Sequence, residues 1–319
     1  MSINKNPTEA NNGAKINIQW FPGHMAKARR LLTENISKVD AAVELLDARA
    51  LISSENPEID KILKNKPRIV VANKSDLADP AVTAAFVEKF KEKNIRLIPT
   101  DSRNSSDAAR VKQAVFELMS DRLKQKTERG IQQYTVKIMI VGIPNVGKST
   151  FINRLLGRNK AVTGNRPGVT RGEQWLRVDE KIMLLDTPGL LWPKFDDQRT
   201  GLVLSCAGSI KDDILDRSEI ASFLLLEIMD NYPGVLRDRY GIDEDNIKSE
   251  ACGEETLVSD FGGDNTVSRL GTVGFRALEE AALKNGCIRK GGVADIDRAS
   301  VKVLDDFRSG KLGRISLDR

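Results

Sequence analysis

Short apolar runs alternate with helical patterns along the first 200 residues. The runs are Ala41–Leu46, Arg68–Ala72, Ile95–Pro99, Thr135–Val141, Trp175–Val178 and Ile182–Leu185. Runs this short, with helical periodicity between them, predict an α/β fold: a mostly parallel sheet with crossover helices. The polar, charged stretch Ser102–Gln133 predicts a helix followed by a linker, and Thr150–Leu156 predicts another helix. After the turn-rich Leu191-Trp-Pro-Lys-Phe-Asp-Asp the pattern changes near Gly201. Ile220–Met229 and Thr272–Leu283 predict helices, so a smaller helical domain is expected over residues 201–319 after an α/β domain over residues 16–200. Residues 241–271 are acidic, Gly-rich and without period, and predict a loop or insertion. The first fifteen residues are polar and rich in Asn, the mark of a disordered tail and not of a signal peptide.

Composition narrows the class. With 40% hydrophobic and 30% charged residues the chain fits a soluble globular protein. No apolar run approaches the ~18 residues needed to cross a bilayer, so no membrane partner is expected. Three widely spaced cysteines, Cys206, Cys252 and Cys287, match no metal-ligand spacing and suit a reducing cytoplasm. The net charge of +5 is unevenly spread: residues 1–200 carry 34 Lys+Arg against 23 Asp+Glu, and residues 201–319 carry 16 against 22. A basic amino-terminal half could face phosphate backbones, or its lysines could simply solvate a surface.

Each chemical motif lies just after one of the predicted strands, where open α/β sheets bind ligands. Gly142-Ile-Pro-Asn-Val-Gly147-Lys148-Ser149 has the spacing of a phosphate-binding loop between strand and helix. Its backbone from Asn145 through Val146, Gly147 and Lys148 to Thr150 can turn N–H groups onto phosphates, aided by a helix amino-terminus. Lys148 suits the β- and γ-phosphates, and Ser149 suits Mg²⁺. Asp186-Thr-Pro-Gly189 follows Ile182–Leu185. By itself it is a good turn sequence; 38 residues after Lys148 it reads as a second switch, with Asp186 holding Mg²⁺ through water and Gly189 N–H meeting the γ-phosphate. Thr170, in Asn165-Arg-Pro-Gly-Val-Thr170, is the candidate to complete the Mg²⁺ shell; the alternative is an exposed loop hydroxyl.

Base choice falls to Asn73-Lys74-Ser75-Asp76. An ionised Asp only accepts hydrogen bonds, so Asp76 can pair with N1–H and the amino group of guanine, where adenine offers neither donor. Asp101 and Ser102, after the next strand, could supply the backbone contact to guanine O6. Ordinary GTPases carry the guanine motif after the phosphate loop. Here it comes first, as in a GTPase whose fold is circularly permuted.

On these motifs the sequence resembles the circularly permuted GTPases, and within them the bacterial ribosome biogenesis GTPase A (YlqF/RbgA) type. The resemblance runs from Ile18 to about Lys211 and resumes near Asn285. It is carried by Gln19-Trp-Phe-Pro-Gly-His-Met-Ala-Lys-Ala-Arg-Arg30, Asp47-Ala-Arg49, the nucleotide motifs and Leu191-Trp-Pro-Lys-Phe195. It implies a cytoplasmic GTP/GDP-binding enzyme acting late in assembly of the large ribosomal subunit, on rRNA and ribosomal proteins, with a helical carboxyl-terminal domain that grips the particle. A monomer is the default. Leu190 replaces the water-orienting Gln of Ras-like enzymes, and the resemblance implies His24, the single histidine, as the catalytic group. It also implies that Asn145 coordinates K⁺. Residues 241–284 depart from the family in length and acidity, which leaves Asn285–Arg319 and the basic α/β domain as the expected rRNA contacts. Two alternatives stay open: an RNA-binding scaffold that holds GTP without hydrolysing it, and a permuted GTPase serving the small subunit.

Overall fold

In the computed structural model β1 (Ala41–Asp47) is buried along its whole length, so it needs cover on both faces and neighbours on both edges. The described residues are 23–64, 66–131, 134–157, 174–191, 197–210, 216–249 and 270–319. β1 pairs in parallel with β2 (Arg68–Asn73) on one side and β4 (Val136–Gly142) on the other. β3 (Arg96–Thr100) extends the sheet beyond β2, and β6 (Ile182–Asp186) extends it beyond β4. β5 (Gln174–Arg177) closes that edge antiparallel to β6. The order is β3-β2-β1-β4-β6-β5.

Alternation along the strands divides the cover. Val43, Leu45, Ile69, Val71, Ile138 and Ile140 share one core with α4 (Ser105–Leu118) and α6 (Lys148–Leu156). On the opposite face, Ala42, Met139 and Leu185 pack with α1 (Gly23–Asn35) and α2 (Pro57–Leu63). Leu46, Val70 and Leu97 on that face pack with Phe86 and Phe90 of α3 (Pro80–Glu92). The helices begin where side chains satisfy their first amides: Asn56, Asp79 and Asn104 cap α2, α3 and α4, with Pro at the start of α2 and α3.

Two expectations change. The stretch after α4 is not a linker: α5 (Ser120–Glu128) is a second helix without a buried residue, made from good helix formers and not from an apolar stripe. Within the expected loop 241–271, residues 244–249 are helical, because Ile242 and Ile247 plug the neighbouring core. Residues 250–269 fall outside the description.

The remaining helices form one core. α7 (Gln198–Cys206), α8 (Arg217–Asn231), α9 (Val235–Tyr240), α10 (Phe275–Lys284) and α11 (Ile296–Arg308) enclose Phe223, Leu224, Ile228, Leu278, Leu304 and Phe307. Gly201, where the second domain was expected to begin, lies inside α7. That helix feeds both cores: Leu202, Val203 and Cys206 face the helical one, Leu204 the sheet. The carboxyl-terminal strap then returns Leu312, Ile315 and Leu317 to the helical core. Several basic residues expected to face RNA are spent on protein instead: Arg308 on Ser205 O and Cys206 O, Arg314 on Ser75 O and Ala78 O, Arg319 on Asp79.

Candidate functional site

The carboxyl ends of β1, β2, β3, β4 and β6 lie along one rim of the sheet, and the loops that leave them converge there. A cleft of about 650 Å³ opens at this rim, lined by Asn73, Lys74, Asp76, Ser102, Asn145 and Gly147 and bordered on the helical side by Gly208 and Arg308. Residues more than seventy positions apart therefore share one cavity.

Asn73 is the staple. Its Nδ2 donates to Val146 O at 2.7 Å, and its Oδ1 accepts from Ser102 N at 3.1 Å and Ser102 Oγ at 2.5 Å. One buried carboxamide thus holds the phosphate-type loop and the loop after β3 against the guanine-type loop. Gly147 has φ 101°, and a Cβ there would stand 2.3 Å from Asn73 Nδ2, so only glycine permits the approach.

Asp76 is half-buried on the cleft wall, ion-paired with Arg103, which also binds Asp101 at 2.9 Å. The hydrogen bonds of Arg103 outweigh the raising effect of burial and hold the Asp101 carboxyl below its usual range. Lys74, at φ 60°, sends Nζ to Asp47 Oδ2 at 2.8 Å and to Asn145 O at 3.0 Å.

Behind it lies a buried charge relay. Arg49 is 1% exposed, forks onto both oxygens of Asp47 at 2.9 and 2.8 Å, and reaches Ala207 O at 3.3 Å. Its guanidinium lies 5.0 Å from the centre of the Phe307 ring. Burial alone would raise the Asp47 carboxyl; Arg49 and Lys74 outweigh it and keep the group ionised far below the ordinary carboxylate range.

In the phosphate-type loop, Lys148 is buried at the amino-terminus of α6 and donates to Gly142 O at 3.1 Å and Ile143 O at 2.6 Å. Burial pushes its ammonium down to about 8 against the opposing field of Asp186. Burial raises Asp186 in turn, against Lys148. A polyanion in the loop would restore full charge to Lys148, which is what a phosphate site needs.

Ser149 is partly exposed and Thr150 exposed on the first turn of α6. The donors at hand are a hydroxyl on Ser149 and a carboxylate on Asp186. Hard oxygens in small number fit Mg²⁺, which takes the rest of its shell from phosphates and water. Among the described residues no cluster of three or more His, Cys, Asp or Glu forms a self-sufficient metal site. Asn145 Nδ2 donates to Gly208 O at 2.8 Å, which leaves its Oδ1 as the side-chain donor for a cation.

The Asp-Thr-Pro-Gly segment is clasped to this loop. Leu190 N donates to Gly142 O at 3.2 Å, and a Cβ on Gly189 would meet Pro144 N at 2.9 Å and Lys148 Nζ at 2.8 Å. Leu190 itself is buried in the core beneath α1 with Ala28 and Leu32. Its carbonyl accepts from Asn56 Nδ2 at 2.7 Å. His24 sits on the first turn of α1. Its neighbour Met25 is buried in the cluster that holds Ile143 and Leu191. Thr170 and the Asn165-to-Thr170 segment lie outside the described residues, as do residues 19–22 of the amino-terminal motif and residues 192–195.

The motifs pointed to most of these residues. Four participants lie outside the motifs read as chemistry. Asp47 and Arg49 were noticed only as part of a resemblance, yet two opposite charges at the carboxyl end of an apolar strand are themselves a signal. Asn56 and Arg103 signalled only local contacts, an N-cap on α2 and a pairing with Asp101; their bonds to Leu190 O and Asp76, 134 and 27 positions away, carried no signal.

Residues 137–249 match the family described as 50S ribosome-binding GTPase. Ribosome biogenesis GTPase A from Bacillus cereus is 41% identical over 94% of this chain and 93% of its own length. Mitochondrial ribosome-associated GTPase 1 from Mus musculus is 32% identical over 94% of this chain and 90% of its own. Among solved structures, GNP-bound YlqF from T. maritima superposes with a TM-score of 0.57 at 26% identity, over 92% of this chain and 98% of that one. The permuted order of the guanine and phosphate loops, their convergence on one cleft and these near full-length matches have one reading: the chain belongs to the ribosome biogenesis GTPase A family and is a GTPase.

Proposed function

We propose that this protein is a GTP-driven switch in maturation of the large ribosomal subunit, with the precursor particle, its rRNA and its ribosomal proteins as partners. It would work in the cytoplasm as a monomer between encounters, its α/β part (residues 16–200) carrying the chemistry and its helical part (residues 201–319) the grip. The observation that carries this reading is the Asn73 staple, which joins guanine-type and phosphate-type loops into one cleft walled by the helical part. The names of the relatives, ribosome biogenesis and ribosome-associated GTPases, support a ribosomal partner.

In this reading Asp76 exchanges Arg103 for the N1–H and amino group of guanine, and Ser102, beside Asp101, lies near O6. The backbone from Asn145 through Val146, Gly147 and Lys148 to Thr150 holds the phosphates. Ser149 and Thr170 would hold Mg²⁺, with Asp186 acting through water, and the ion would supply positive charge against that developing between the β- and γ-phosphates. Asn145 Oδ1 would support a K⁺ ion, and Gly189 N–H would read the γ-phosphate. Leu190 offers no polar atom to water from its side chain and is committed to the core, so the attacking water needs another partner. His24, on a helix packed against the same core as Leu190, is suited to hold it near neutral pH.

Steady-state GTP hydrolysis in K⁺ buffer, with purified large or small subunits, tests the proposal. Large subunits should accelerate turnover and small subunits should not; Na⁺ should weaken the effect. His24→Ala should remove most of it, on the order of the 10²–10⁴-fold due to a general base, while GTP affinity holds. Tight GTP binding with no acceleration by either subunit would leave a scaffold that does not use hydrolysis.

A further inference from the structure

We propose that the carboxyl-terminal strap, residues 310–318, belongs to the guanine site, with Arg314 as the positioning residue that fixes the loop carrying Asp76. The proposal rests on the reading of Asp76 as the guanine acceptor. Beyond the Asn73 staple and Lys74, the loop has little of its own to hold it. It turns at Lys74 with φ 60°, a conformation that side chains other than glycine adopt at a cost. Leu77 N closes the turn on Lys74 O at 2.9 Å, and Ser75 N is held by Thr100 O at 3.0 Å. The side chain of Asp76 meets Arg103, an exposed residue that cannot anchor a backbone.

The strap supplies the missing restraint. Arg314 Nε donates to Ala78 O and its terminal nitrogen to Ser75 O, both at 2.9 Å, so one planar fork spans the turn that presents Asp76. Ile315 N donates to Leu77 O at 3.0 Å, and Asp79 N donates to Ser316 Oγ at 3.1 Å. Thus Ser75, Leu77, Ala78 and Asp79, the residues around Asp76, all bond to the strap.

The strap is itself fixed by the rest of the molecule. Asp318 accepts from Ser53 N at 2.6 Å and Ser53 Oγ at 2.9 Å, and Leu317 N donates to Arg49 O at 2.7 Å. Ser316 N donates to the Tyr232 hydroxyl at 2.9 Å, and Leu312, Ile315 and Leu317 are buried in the helical core. The guanine loop is therefore set by the docking of the helical part, and the linkage runs both ways.

Dissociation constants of the full chain for guanosine diphosphate and inosine diphosphate test this, because inosine lacks the 2-amino group that Asp76 would read. Arg314→Ala should weaken the guanosine nucleotide about tenfold, the worth of one or two hydrogen bonds, and the inosine nucleotide less, so that discrimination shrinks. Arg314→Lys should fall between, since an ammonium cannot span two carbonyls as the guanidinium fork does. Arg314 is exposed, so the melting temperature without nucleotide should barely move. Asp76→Asn, measured alongside, should abolish the discrimination. If it does so while Arg314→Ala leaves the ratio intact, the strap has no positioning role. If Asp76→Asn keeps the preference for guanosine, the reading of Asp76 fails and the proposal falls with it.

Discussion

Glu44 stands in the middle of β1, 1% exposed, with one oxygen accepting from Arg68 at 3.1 Å and the other without a partner among the described residues. Burial, only partly opposed by Arg68, raises its pKa from 4.5 to about 8. A carboxyl whose pKa is higher folded than unfolded binds its proton more tightly in the native state. Its contribution is full below 4.5 and is lost as pH rises through about 8. Glu44→Gln keeps the shape and removes the titration, so its advantage over wild type should grow from near zero at pH 5 to a few kcal/mol by pH 9. Parallel urea-stability profiles over that range would show that Glu44 does not titrate there. At this scale the sequence was readable where chemistry demands a residue type at a fixed spacing, as for Lys148 and Asp76. It was silent on Glu44, and on the partners of Arg49 beyond Asp47, because those neighbours come only from the fold.

At the scale of elements, period and strand chemistry were enough to locate the six strands among the described residues to within about a residue at each end. Two of the elements that escaped lack a pattern of their own, whereas α11, also not singled out, has an apolar face of Ala299, Val303 and Phe307. α5 has no apolar face, and the 244–249 helix offers single apolar anchors within an acidic stretch. Nor did the sequence reveal what joins β1 to α11. The Lys74–Asp47–Arg49 relay links the guanine loop to Ala207 and Phe307. Removing one member of a buried ion pair strands its partner, which costs about 3–5 kcal/mol. Arg49→Ala should lower unfolding free energy by about that much, and Arg30→Ala, which breaks an exposed pair with Glu34, by less than about 1 kcal/mol. Equal losses in urea titrations would remove the relay as a structural link.

For the whole molecule, the permuted order has a mechanical consequence. In this chain the Asp186-to-Gly189 segment is followed by α7, whose side chains serve both cores. The relay, the strap and the Asn145–Gly208 bond add three further ties between the nucleotide cleft and the helical part. Motif order alone suggested the permutation; the ties were not legible because each joins residues 63 or more positions apart. The central claim is that loops in reversed order build one site that both reads guanine and cleaves its triphosphate. Turnover of GTP and xanthosine triphosphate by wild type and Asp76→Asn tests it most directly, because Asn can donate to the 2-carbonyl that xanthine carries in place of the amino group of guanine. Wild type should hydrolyse GTP in preference, and Asp76→Asn should reverse that preference while keeping turnover. An Asp76→Asn protein that still favours GTP would contradict the claim, because the loop at Asn73–Asp76 would then not be reading the base whose phosphates Lys148 holds.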